Sequence, residues 1–118
     1  RGHLTLSGAP LDEMGAVLSL YQKIGGQYTR KSGTLVADSK NVQHAVPYVE
    51  TEEYPGFPTD LQSQLLATLC VARGRSVIRE CIFEERFRIL SVCTGCFRAS
   101  FSPGCFSVNR AAGNLECR

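Results

Sequence analysis

An α/β or α+β fold is predicted by three features of this chain. His3-Leu4-Thr5-Leu6 alternates polar and apolar residues. Asp12 to Ile24 carries apolar residues at helical spacing. A capped helix from Thr59 leads back into an apolar strand that ends at Ile82. With 118 residues, 43% of them hydrophobic and 20% charged, the chain is long enough for one modest domain with a real core.

The first strand is broken by Ser7-Gly8-Ala9-Pro10. The helix that follows places Met14, Val17, Leu18, Tyr21 and Ile24 on one stripe, with Asp12 and Glu13 at its start and Lys23 at its end. Gly25-Gly26 ends it, one of the two in the left-handed conformation. Because this pair closes a helix and does not open one, it is no phosphate loop. Gln27–Arg30 and Thr34–Ala37 read as strands around a turn at Lys31-Ser32-Gly33. After a polar stretch, Val46–Val49 looks extended, and Glu50–Glu53 looks solvated.

Pro55, Gly56 and Pro58 forbid regular structure up to Thr59, which is placed to cap a helix. Gln62 would complete a capping box, and Leu61, Leu65, Leu66 and Leu69 form the apolar stripe. This helix should end near Gly74. Ser76–Ile82 then reads as a buried strand, with a third helix from about Glu84. The order is β-α-β-β, a crossover, then α-β-α.

Residues 90–118 form a Cys-rich tail with no helical or strand period. Cys70 and Cys81 look like small buried hydrophobes. Cys93 and Cys96 have the gap of a zinc knuckle, and Cys105 and Cys117 could add thiolates. The wide second gap favours reduced, unligated thiols in a loosely ordered tail, so neither metal nor cofactor is expected. His3 and His44 are isolated and have no metal spacing.

A net charge of +2, from 13 basic and 11 acidic residues, points away from nucleic acid. No apolar run is long enough for a membrane span, and no signal-peptide pattern opens the chain, so a cytoplasmic protein is expected. The start at Arg1, inside a strand pattern, suggests a piece of a longer polypeptide.

Two segments carry the candidate chemistry: Tyr54-Pro55-Gly56-Phe57-Pro58-Thr59-Asp60 and Ile82-Phe83-Glu84-Glu85-Arg86-Phe87. A helix over 59–73 would rise about 20 Å, and the strand from Arg75 to Ile82 would return about 25 Å. Asp60 and the Phe83–Arg86 segment should therefore share one rim, at the carboxyl end of the strand, where open α/β sheets hold ligands. Asp60, at a helix start, is favoured as an ionised acceptor for a substrate hydroxyl, although first-turn acids more often just stabilise the helix. Arg86 could clamp a phosphate or carboxylate. Spacing alone favours a pair with Glu80, Glu84 or Glu85 on a solvated face. Phe83 could stack on a ring, but a strand-end Phe is more often core.

At these two segments, and over roughly residues 1 to 89, the chain resembles the enolpyruvyl transferases, in particular the UDP-N-acetylglucosamine 1-carboxyvinyltransferase family. The resemblance covers the Leu11–Gly25 helix with Gly26-Gln27-Tyr28, the linker Val49–Phe57, Pro58-Thr59-Asp60-Leu61-Gln62, and Gly74 to Phe87. It implies a partial domain (1–89) of β-α-β-β-α-β units, followed by the unassigned tail (90–118). It also implies transfer of enolpyruvyl from phosphoenolpyruvate to the 3-hydroxyl of UDP-N-acetylglucosamine, in peptidoglycan synthesis. Asp60 would match the aspartate that contacts that hydroxyl and is proposed as its base. Ile82 would match a main-chain contact to the nucleotide sugar with Phe83 beside it, and Arg86 an arginine near phosphoenolpyruvate.

Glu85 stands where the family usually has Asn, and Leu90–Arg118 does not follow the family. The family's mobile acid loop and its other lysine and arginine segments are absent, so the chain should be inactive without the rest of the parent enzyme. A small zinc-binding module and a non-functional remnant are the alternatives.

Overall fold

The structure is a computed structural model that describes residues 2–83, 98–102 and 105–110. β1 (His3–Ser7), β2 (Gln27–Lys31) and β3 (Thr34–Asp38) form an antiparallel sheet in the order β1-β3-β2. Its register pairs Leu4 with Ala37 and Tyr28 with Ala37. The β2–β3 turn has Ser32 at φ 47° and Gly33 at φ 73°. Positive φ at both central residues is the hairpin turn whose twist suits its flanking strands.

Helix α1 is shorter than the sequence suggests, covering Gly15–Lys23. Residues 11–13 form a turn instead, closed by Leu11 N–H to Ala9 O (2.8 Å) and Glu13 N–H to Pro10 O (3.0 Å). Asp12 uses its carboxylate outside any helix, accepting from Arg30 Nη2 at 2.9 Å. At the other end, Gly26 N–H donates to Tyr21 O and Gly25 N–H to Gln22 O, the bond pair of a Schellman motif. Gly25 takes the left-handed position at φ 101°. A Cβ there would run into the Asn41 carbonyl oxygen and the His44 ring.

The second sheet has the order β4-β5-β7-β6, from β4 (Val49–Glu50), β5 (Gly74–Arg79), β6 (Arg98–Ser102) and β7 (Cys105–Arg110). β4 and β5 are parallel, Val49 facing Ile78, and the crossover between them carries a 3-10 turn (Thr59–Leu61) and helix α2 (Gln62–Cys70). β7 runs antiparallel to β5, with Arg79 facing Cys105, and β6 pairs on its far side. Two strands therefore occupy the tail, where the sequence shows no period. The expected third helix from about Glu84 lies outside the described residues.

The core consists of Leu20 and Ile24 from α1, Val46, Val49 and Phe57 from the connection, Leu65, Leu66 and Leu69 from α2, then Ala72 and Ile78. Ile78 is fully buried at 0% exposure because it sits on an inner strand under α2's apolar stripe. Ser76 is buried beside it and accepts the Val46 N–H on its Oγ at 3.0 Å. That bond pairs a backbone donor that would otherwise be stranded in the core. Among the described residues, no helix is long and apolar enough to cross a membrane.

Candidate functional site at the carboxyl ends of the parallel strands

Because β4 and β5 are parallel, their carboxyl ends lie side by side, and Thr51 N–H donates to Arg79 O at 2.9 Å. The next residue along β5's path is Glu80. It is buried at 6% exposure, not on a solvated face as a partner for Arg86 would be.

Four groups converge on its carboxylate. Oε1 accepts from Thr51 Oγ1 at 2.7 Å, Ile82 N–H at 2.8 Å and Phe83 N–H at 3.1 Å. Oε2 accepts from Thr59 Oγ1 at 2.8 Å. Thr51, itself at 0% exposure, accepts the Cys81 N–H on its own hydroxyl oxygen at 2.9 Å. Burial alone would push the Glu80 carboxyl up. The hydrogen bonds from Thr51, Thr59 and the Ile82 and Phe83 N–H groups outweigh it, so the carboxyl sits below its ordinary value.

Local structure explains how Thr59 arrives there. Glu52 N–H donates to Phe57 O at 2.9 Å, and Gly56 N–H to Glu53 O at 2.8 Å, which folds 52–57 into a tight loop after β4. The loop buries Phe57 in the core, and the extended Pro58 (φ −72°, ψ 137°) feeds the chain into the 3-10 turn. The N-cap position of that turn is Pro58 and that of α2 is Leu61, neither with a side-chain cap bond. The predicted capping box is therefore not the device that starts this helix. Thr59 gives its hydroxyl proton to Glu80, and Gln62 is buried at 2% exposure, with its Nε2 unpartnered among the described residues.

Asp60 lies in the 3-10 turn, ahead of α2, and is exposed. Ile82 and Phe83 are also exposed, at 38% and 50%. Phe83 is thus not the core residue that a strand-end aromatic usually is. One buried carboxylate holds both the residue before Asp60 and the main chain of Ile82 and Phe83. Arg86 lies outside the described residues.

Glu80 escaped the sequence reading as a site residue, and Thr51, expected within a solvated stretch, is fully buried because its hydroxyl is held between Glu80 and the Cys81 N–H. The available signal was a glutamate directly after an apolar strand, with threonines placed to meet it only once the strands pair. Cys81, expected to be buried, is exposed. No cluster of three or more His, Cys, Asp or Glu side chains is placed for a metal among the described residues; Cys93, Cys96 and Cys117 lie outside them. An apolar groove of about 190 Å³ between α1 and α2 is lined by Val17, Tyr21, Phe57, Leu61 and Leu65, and its lining does not include Asp60, Ile82 or Phe83.

The fold matches a solved structure, the enolpyruvyl transferase NikO from Streptomyces tendae, with a TM-score of 0.75 at 18% identity over 92% of this chain and 26% of that one. A curated protein of Granulibacter bethesdensis named UDP-N-acetylglucosamine 1-carboxyvinyltransferase is 42% identical over 86 residues. This chain is homologous to a segment of UDP-N-acetylglucosamine 1-carboxyvinyltransferase. Its counterparts from Desulfovibrio desulfuricans and Sulfurimonas denitrificans are 38% identical over 86 residues and 40% over 92. The alignments take in 73% of this chain for the first two and 77% for the last. The chain spans about a fifth of the length of these carboxyvinyltransferases, 20% to 21%. No protein-family model matches it.

Proposed function

We propose that this chain is part of a cytoplasmic carboxyvinyltransferase of peptidoglycan synthesis, and that it supplies one wall of the site without turning over alone. The reaction would join the 3-hydroxyl oxygen of UDP-N-acetylglucosamine to C2 of phosphoenolpyruvate. The bond from C2 to the phosphate oxygen breaks, phosphate leaves, and the hydroxyl proton passes to a base. Asp60 is that acceptor in this reading, because an exposed carboxylate at a sheet's carboxyl rim is where a substrate hydroxyl can reach it. Ile82 offers its carbonyl, and Phe83 a partly exposed ring, to the nucleotide sugar. Arg86 would face phosphoenolpyruvate, and no cofactor takes part.

The observation that carries this reading is the Glu80 carboxylate. It ties Thr59, next to Asp60, to the Ile82–Phe83 main chain, which supports a reading in which Asp60, Ile82 and Phe83 serve one site. The relatives named for the activity match this chain over only about a fifth of their length, which is why one wall and not a whole enzyme is proposed. Calorimetric titration with UDP-N-acetylglucosamine tests it. Weak binding that disappears in Asp60→Ala is the expected result; binding that Asp60→Ala leaves unchanged would overturn the site.

A further inference from the structure

We infer that Glu80 is a positioning residue, whose buried carboxylate holds the Thr59–Asp60 turn and the Ile82–Phe83 main chain at one fixed spacing, so that a sugar nucleotide meets both together. The second half of this inference rests on the site proposed above; the holding role does not.

Glu80 cannot act by touching a substrate, being 6% exposed with its oxygens already occupied. It can act on what does. Its donors come from the end of β4, the 3-10 turn and the segment leaving β5, three stretches that meet on this one carboxylate. Oε1 takes three donors at once, which suits the charge density of an anionic oxygen better than that of a neutral amide. A core residue serving only to fill space needs no charge, and charged side chains are rarely buried unless paired. Here the partners are two hydroxyls and two main-chain N–H groups, each on a segment that bears a site residue or abuts one. In Glu80→Gln the shape survives, but the amide nitrogen faces Thr59, whose hydroxyl must turn to accept. Glu80→Ala removes every bond.

The test is amide hydrogen exchange on the full chain, wild type against Glu80→Gln and Glu80→Ala. The Leu69 and Ile78 amides serve as internal standards for global stability. Exchange at Ile82 and Phe83, normalised to those standards, should speed up about tenfold or more in Glu80→Ala and by less in Glu80→Gln. Ile82 and Phe83 amides that exchange alike in all three proteins would overturn the holding role, even if Glu80→Ala lowers overall stability.

Titration of the same proteins with UDP-N-acetylglucosamine tests the second half. Affinity should fall about tenfold in Glu80→Ala with a smaller fall in Glu80→Gln. Binding that Asp60→Ala abolishes but both Glu80 variants retain would overturn the positioning role while leaving the site intact. A wild type that does not bind defeats the site reading and this second half with it, while the exchange ratios still decide whether Glu80 holds the two segments.

Discussion

Thr59 and Glu80, 21 positions apart, are joined by a 2.8 Å hydrogen bond from the Thr59 hydroxyl to Oε2 of Glu80. The bond closes the crossover on itself: the start of the 3-10 turn is fastened to the residue that follows β5. Strand pairing sets the ends of β4 and β5 level, and this contact brings the helical end to the same rim.

Removing the Thr59 hydroxyl without changing the side chain's shape should weaken the fold locally. Thr59→Val leaves Oε2 of a part-buried carboxylate short of a donor, a loss of about 1–3 kcal/mol. Thr51→Val should cost more, since Thr51 both donates to Glu80 and accepts the Cys81 N–H. Urea unfolding midpoints of the two variants should fall in that order, with Thr51→Ser close to wild type.

Stability should depend on pH through Glu80. Its carboxyl lies below its ordinary value of 4.5 in the folded chain, so the folded state binds its proton less readily than the unfolded state does. The stabilisation is therefore fully present above the unfolded value and is lost as pH falls through the lower folded one. Urea midpoints measured from neutral pH downward should drop across that interval. The Glu80→Gln protein should show a shallower drop.

Core truncation sets the scale for these effects. Ile78 and Leu69, at 0% and 1% exposure, should each cost about 2–5 kcal/mol when cut to alanine. Unfolding monitored by circular dichroism gives the comparison. The change at Thr59 should prove the milder one.

Two glycines at positive φ should respond differently to alanine. Gly33 (φ 73°) has open space around its Cβ position, so Gly33→Ala should cost only the left-handed conformational penalty, about 1–2 kcal/mol. Gly25 (φ 101°) would add a collision with the Asn41 carbonyl and the His44 ring. Its alanine variant should therefore melt at a clearly lower temperature than Gly33→Ala.

Local pattern was enough for β1, for most of α1 with its Gly25–Gly26 stop, and for the hairpin through Ser32-Gly33. Each rests on periods and turn chemistry spanning only a few residues. The start of α1 was misplaced because residues 9–13 close a turn through Leu11 N–H to Ala9 O and Glu13 N–H to Pro10 O, so the helix begins only at Gly15. The capping box at Thr59 and Gln62 was equally plausible as local grammar, and it lost to a more distant acceptor.

What the chain's own letters determined was its class, the bounds of its helices and first hairpin to within a few residues, and its kinship to the carboxyvinyltransferases through the motifs at 54–60 and 82–87. Only the folded arrangement decided that Glu80 is buried and joined to Thr51, Thr59, Ile82 and Phe83, that Cys81 is exposed, and that residues 98–102 and 105–110 extend the sheet beside β5. Charge burial and strand pairing depend on partners tens of residues away, and those partners are chosen by how strands and helix pack together, not by the neighbours a residue has along the chain.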